Sequence, residues 1–169
     1  ITFFEYPGAR RGRAGAGMVH RVVWRVADEA ALDFWEHRLG DEGADTEREP
    51  GRLRFADPEG LGLELAVVET PDRPLISHHP DVPEEAALRG FDGVRAYTRD
   101  APLSRGFLVD SLGFQTSDGE TYEARGEERG SFYAYDRTDE PGVPGAGTVH
   151  HVAWSSPIEA HEAWRDRVM

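Results

Sequence analysis

Histidine is the residue type through which this chain could hold a metal. Its 169 residues include seven histidines and no cysteine, which removes disulfides, thiolate nucleophiles and cysteine-based zinc sites. The sharpest arrangement is the adjacent pair His150-His151, set in Gly147-Thr148-Val149-His150-His151-Val152-Ala153-Trp154. Imidazole is a good ligand for ferrous iron, and a set of two histidines and one carboxylate leaves positions open for a bidentate diol and dioxygen. Neighbouring side chains on a strand point to opposite faces, so only one of this pair can look into a shared interior. A lone strand histidine, taken without context, more commonly fills a structural role than a metal-binding one.

The other candidates are weaker. His78-His79 sits in a Pro- and acid-rich stretch and reads as solvated, while His37 and His161 stand among charged helical neighbours and read as surface residues. His20 should face away from the cavity of its own segment. Phe132, Tyr133 and Tyr135 could line a substrate pocket, although an aromatic strand is more often core. Arg10-Arg11-Gly12-Arg13 could hold an anion, and reads first as a solvated glycine-rich connector. No phosphate loop, dinucleotide fingerprint or nucleophile elbow is present.

The elements that must position these residues form a repeat. Val19-His20-Arg21-Val22-Val23-Trp24-Arg25-Val26 aligns without gaps on Val149-His150-His151-Val152-Ala153-Trp154-Ser155-Ser156. Each follows a glycine-rich stretch, Gly15-Ala16-Gly17 or Gly145-Ala146-Gly147, and each precedes an amphipathic helix. In the first copy Asp28 is the expected N-cap, Leu32, Trp35 and Leu39 mark one face, and Gly40 is the expected left-handed stop. A fainter copy runs through Gly93-Val94-Arg95-Ala96-Tyr97-Thr98, an Asp100 cap, Pro102, and Leu103 with Phe107 at helical spacing, ending at Leu112-Gly113. Short strands follow each helix, predicted at 46–49, 53–56 and 61–68, then at 114–116, 121–124 and 131–135. This β-α-β-β-β grammar cannot bury both sheet faces alone, so the units should pair edge to edge.

Charge narrows the partners. Acidic residues number 32 against 19 basic ones, all of them arginine, for a net charge of -13. Such a surface repels phosphate backbones, which argues against nucleic acid. No apolar run approaches the roughly 18–20 residues of a bilayer span, and no basic segment followed by an apolar one opens the chain. A cytoplasmic setting fits these features. Strong acidity without lysine suits concentrated salt, where the Debye length shrinks to ~3 Å at 1 M and self-repulsion is screened. A GC-rich genome also favours arginine but does not account for the acidity. Thermal stability is therefore expected to rise with molar KCl; a flat melting temperature across that range would refute the halophilic reading.

Both ends read as interior to a longer chain. Ile1-Thr2-Phe3-Phe4 reads as a strand already under way, and Ala160, Trp164 and Val168 mark a helix face with no terminating residue after Met169.

In these motifs the chain resembles the vicinal oxygen chelate superfamily of glyoxalases, bleomycin-resistance proteins and extradiol dioxygenases. Asp57-Pro58-Glu59-Gly60 leading into Leu63-Glu64-Leu65 resembles its last-strand signature, and the segment around His150-His151 its first-strand one. The opening Phe3-Phe4-Glu5-Tyr6-Pro7-Gly8-Ala9-Arg10-Arg11-Gly12-Arg13 is similar to the hydroquinone-type ring-cleaving branch. The resemblance implies an α+β fold of repeated βαβββ modules paired into a curved, half-open mixed β-barrel with helices outside. It divides the chain into the tail of a first module (1–17), a second module (18–70), a linker (71–90), a third module (91–140) and the start of a fourth (141–169).

It also implies roles. His151 becomes the metal ligand, for Fe(II) or alternatively Mn(II), with the remaining ligands outside this chain and His150 as a neighbouring substrate or orienting contact. Arg21 takes the place of His151 in the second module, and Glu64 the place of that module's carboxylate. An Arg21–Glu64 ion pair in a vacated metal position is therefore expected. The implied reaction is oxidative opening of a hydroquinone- or catechol-type ring by O2, with an aromatic diol as substrate. These 169 residues alone would be inactive and could carry no metal. A glyoxalase-like isomerase or lyase, and a non-catalytic small-molecule-binding protein, are the alternatives, and a homodimer is left open.

Overall fold

The computed structural model describes residues 2–169. Seven strands form one open mixed sheet, and its two halves mirror each other in topology. The first half comprises β1 (Val19–Val26), α1 (Glu29–Asp41), β2 (Glu47–Glu49), β3 (Arg52–Ala56) and β4 (Gly62–Val67); the second comprises β5 (Phe91–Thr98), β6 (Thr121–Arg125) and β7 (Gly130–Arg137). The spatial order is β2-β3-β4-β1-β5-β7-β6. β1 runs parallel to β4, β5 runs parallel to β7, and β1 and β5 meet antiparallel at the centre. Among the described residues, no helix is long and apolar enough to cross a membrane.

Period-two alternation sorts the side chains between two faces. One face packs on the helices. Val26, Leu53 and Leu65 bury against Ala31 and Leu32 of α1, with Trp35 and Leu39 alongside. Tyr122, Leu108 and Phe114 form the matching cluster of the second half, joined by Tyr133 and Tyr135, so these tyrosines belong to the core. The Asp28 carboxylate caps α1 by accepting from the Ala31 N–H at 3.0 Å. The helix runs on to Asp41 past Gly40, and Gly43, at φ +77°, takes the left-handed position instead.

The second half departs from the expected α-helix. A 3-10 turn at Ala101–Ser104 leads into a π-helix at Gly106–Ser111. The wider π turn inserts residues relative to a 3.6 period. Leu108 therefore reaches the core at 6% exposure, while Leu103 (82%) and Phe107 (51%) face outward. Phe114–Thr116 contributes a single bridge, Gln115 to Glu123, where a strand is predicted.

Two predicted strands form no ladder. The stretch 149–157 pairs with no strand among the described residues, nor does Phe3-Phe4; Ile1 lies outside the described residues. A strand is defined by its ladder partner, and neither stretch has one among the described residues. The short helix α2 (His161–Val168) closes the chain.

Glycine explains how the two outer loops meet. The backbones of 10–16 and 141–148 run together, with the Arg13 N–H and Val143 N–H each donating at 2.8 Å to the other residue's carbonyl. A Cβ on Gly12 would sit 2.7 Å from the Gly145 nitrogen and 2.8 Å from the Val143 oxygen, a contact only glycine permits.

Residues 71–90 form a fixed strap. The Trp35 indole N–H donates to the Ala86 carbonyl at 2.7 Å, and Ser77 N–H donates to Leu88 O at 2.9 Å. The buried Asp72 carboxylate accepts from Arg25 Nη1 at 2.7 Å, Arg125 Nη1 at 2.8 Å and the Gly130 N–H at 3.0 Å.

Candidate functional site

The face of the sheet turned away from the helices is polar. β1 and β4 run in register with Arg21 opposite Gly62 and Val23 opposite Glu64, which puts Arg21 and Glu64 on one face. β3 adds Arg54 opposite Glu64 and Arg52 opposite Ala66, again on that face. Glu64 is 1% exposed, and three guanidiniums meet it. Arg21 Nη1 lies 3.3 Å and Arg54 Nε 3.1 Å from Oε2, and Arg52 Nη1 contacts Oε1. Burial alone would push this carboxyl up; hydrogen bonds from Arg54 and Arg52, with the charges of Arg52 and Arg21, outweigh it and hold Glu64 below its ordinary value.

Beside this cluster lies a second one that sequence reasoning missed. The β1–β5 register shifts between Val19 and Arg21, a bulge at His20. A bulge re-aims a side chain, and His20 joins the polar face rather than turning from it. Its Nε2 lies 2.7 Å from Asp136 Oδ2, and its ring stacks on Tyr97 at 3.8 Å between centroids. Arg95 clamps the same carboxylate through Nε at 2.8 Å and Nη2 at 2.6 Å. Arg95 is the main reason Asp136 is held down to about 2. Burial is the largest influence on His20 and lowers its pKa despite Asp136, so the neutral imidazole is favoured.

This pair makes a pH prediction. The unfolded chain protonates His20 near its ordinary pKa of ~6.5, while the folded chain resists protonation. The His20 contribution is complete above that value and is lost as pH falls through it toward the lower folded value. Asp136 adds stability above the ordinary carboxylate range and loses it as pH falls toward about 2. Melting temperature should therefore rise with pH from about 5 to 7, and His20→Phe should flatten that rise. An unchanged slope in the variant would refute the assignment.

His150 and His151 lie elsewhere, on the unpaired stretch 149–157, and both are exposed. Their Nδ1 atoms stand 2.9 Å apart, and the Phe4 ring meets His150 edge-on at 6.5 Å. Trp154 seats the stretch against Phe114 at 4.8 Å and Tyr133 at 6.3 Å. Burial and the neighbouring Tyr135 push the Tyr133 hydroxyl up to about 12. His78 and His79 border a shallow pocket with Glu84, and His37 and His161 are exposed on the helices.

Among the described residues, no three His, Asp or Glu side chains come together as a metal site requires. His151 brings one imidazole with no carboxylate beside it, and Glu64 is saturated by guanidiniums. The residues present do not by themselves fit an iron or manganese centre.

No protein-family model matches the chain. It is 30% identical, over 97% of its own length and 56% of the relative's, to a Bacillus subtilis (strain 168) protein named "Putative ring-cleaving dioxygenase MhqE". The crystal structure of a "putative dioxygenase" from Bacillus subtilis subsp. subtilis str. 168 superposes with a TM-score of 0.81 at 28% identity, covering 98% of this chain and 56% of that one. Glyoxalase I from Zea mays shares the fold, with a TM-score of 0.52 at 15% identity over 84% of this chain and 50% of that one. The paired half-sheets and these likenesses define the class: the chain has the glyoxalase/dioxygenase fold and is similar in sequence to proteins named ring-cleaving dioxygenases. It spans about half the length of the curated relatives it matches.

Proposed function

We propose that this chain is part of a metal-dependent ring-cleaving dioxygenase that opens a hydroquinone- or catechol-type ring with O2. The observation that carries this reading is the 30% identity to a protein named for ring cleavage, sustained over 97% of the chain. In this reading His151 supplies one ligand to Fe(II) or Mn(II), His150 orients or contacts the substrate, and the remaining ligands come from outside these residues. Arg21 and Glu64 mark a metal position converted to an ion pair, and the modules keep the bounds 18–70 and 91–140. The setting is cytoplasmic and salt-rich.

The test begins with the intact mass of the isolated protein, compared with the 18.8 kDa of this chain. Anaerobic loading with Fe(II) or Mn(II) follows, then oxygen uptake with hydroquinone and with catechol. The expected result is uptake matched to loss of ring absorbance, abolished by EDTA and by His151→Ala. Turnover of a metal-chelated substrate without oxygen consumption would replace this reading with an isomerase or lyase. The saturation of Glu64 by three arginines favours one further reading, a non-catalytic small-molecule-binding protein. Ligand binding that persists in EDTA, with no oxygen uptake, would establish it.

A further inference from the structure

A groove of about 430 Å³ opens beside the His20 cluster, lined by Arg11, Arg13, His20, Glu59, Gly60 and Leu61 among others. Its volume lies within the roughly 300–1,000 Å³ of small-molecule sites. His151 does not line it, and neither Arg21 nor Glu64 does. We propose that this groove binds a small hydroxylated carboxylate, its anionic group held by Arg11 and Arg13 and its hydroxyl donating to His20 Nδ1.

The acceptor is set up by the fold. His20 is nine-tenths buried, at 9% side-chain exposure, and its Nε2 faces the Asp136 carboxylate. A carboxylate held ionised by Arg95 can only accept, so the proton of a neutral imidazole sits on Nε2. Nδ1 then carries the lone pair and makes no hydrogen bond. Among the described residues, the one fully buried side-chain nitrogen without a partner is Arg89 Nε, so the unpartnered Nδ1 is not fully buried, and His20 is one of the residues that line the groove. The lowered basicity of His20 keeps this acceptor available at neutral pH.

The two arginines that line the groove are anchored by backbone contacts. Arg11 Nε donates to the Glu59 carbonyl at 3.0 Å, which leaves its terminal nitrogens free. A Cβ on Gly60 would stand 2.8 Å from Arg11 Nη2, and at φ +96° glycine is the fitting residue there. Arg13 Nη2 donates to the Pro141 carbonyl at 3.4 Å, and its Nη1 meets Glu140 only at 3.8 Å. A guanidinium with unused planar donors is suited to a carboxylate. The groove also contains Glu59, which opposes an anion, so Glu59→Gln should tighten binding. Bare inorganic anions leave Nδ1 unpaired, and a neutral phenol leaves both arginines unused; a hydroxy acid satisfies both ends, and the hydroxybenzoates are rigid probes of that spacing.

Isothermal titration of the whole protein in EDTA, with the ortho, meta and para isomers of hydroxybenzoate, with benzoate and with phenol, tests this. Losing the hydroxyl-to-imidazole hydrogen bond costs up to about tenfold in affinity, and losing the charged contacts to the arginines at least as much. One hydroxybenzoate isomer is expected to bind about tenfold more tightly than benzoate and phenol. Arg11→Gln combined with Arg13→Gln, at exposed positions that leave the fold intact, should abolish that preference, and His20→Phe should reduce the isomer to the benzoate level while keeping the stack on Tyr97. Equal affinity for benzoate and every isomer, no binding at all, or binding untouched by the double arginine variant would overturn the proposal. The site does not depend on the dioxygenase reading, and His151→Ala should leave it unchanged.

Discussion

Asp72→Asn is expected to destabilise the protein by about 3–5 kcal/mol, the cost of breaking a buried ion pair by removing one partner. For a chain of this size that shifts the melting temperature by roughly 10 °C. Asp72 has a side-chain exposure of 1% and takes two guanidiniums and one backbone N–H. Asparagine keeps the volume and loses the charge, so Arg25, itself 6% exposed, keeps Asp92 at 2.7 Å as its one charged partner, beside the Gly130 carbonyl that accepts from Nη2 at 2.8 Å. The strap, β1 and the β6–β7 hairpin all converge on this one carboxylate, so the loss should lower the midpoint of the whole transition. Burial by itself would push the Asp72 carboxyl up; Arg125, the Gly130 N–H and Arg25 outweigh it and hold it far below the carboxylate range. Its contribution is therefore present above the ordinary Asp pKa of ~3.9 and is lost as pH falls through the folded value. Urea unfolding at neutral pH should show the full difference, and the gap between variant and wild type should narrow below about pH 4. A difference under about 1 kcal/mol at neutral pH would place the network in the class of exposed pairs.

The helix-side face of this fold is legible in the sequence because its signals are local and repeated. Asp28 before a run with Leu32, Trp35 and Leu39 on one face specifies α1 and its cap, and alternation in β1 and β4 specifies which residues bury. The polar face is less legible, because its content depends on register. Arg21 and Glu64 share a face once β1 and β4 pair in parallel, an arrangement the repeat implies. Arg52 and Arg54 join them only through the two-residue turn at Pro50-Gly51, with Gly51 at φ +74°. His20 illustrates a harder failure: a single bulge reverses its face, and no residue around it announces one. The π turn moves Leu108 into the place expected for Phe107 by the same kind of slip. Asp72, in a stretch whose composition reads as a linker, gains its role from partners that lie 47 and 53 residues further away in sequence.

Glu64→Gln tests the vacated-site reading most directly, because its two consequences separate. Three guanidiniums converge on one buried oxygen pair, and neutralising that pair leaves their mutual repulsion unbalanced. Arg52, with 47% of its side chain exposed, can turn to solvent, and Arg54 keeps Glu49 at 3.0 Å. The cost should therefore fall at the lower end of the range for a broken buried pair, about 3 kcal/mol. Arg21→Ala should cost less, about 1 kcal/mol, since Glu64 keeps two of its donors. That asymmetry, measured by urea denaturation, is the signature of one acceptor shared among several donors. The second consequence concerns metal. If this position is an ion pair that has replaced a metal, Glu64→Gln leaves the iron or manganese content of the loaded whole protein unchanged, measured below the lowered melting temperature. Loss of bound metal in that variant, with its fold intact by circular dichroism, would make Glu64 a ligand and would sink the ion-pair reading.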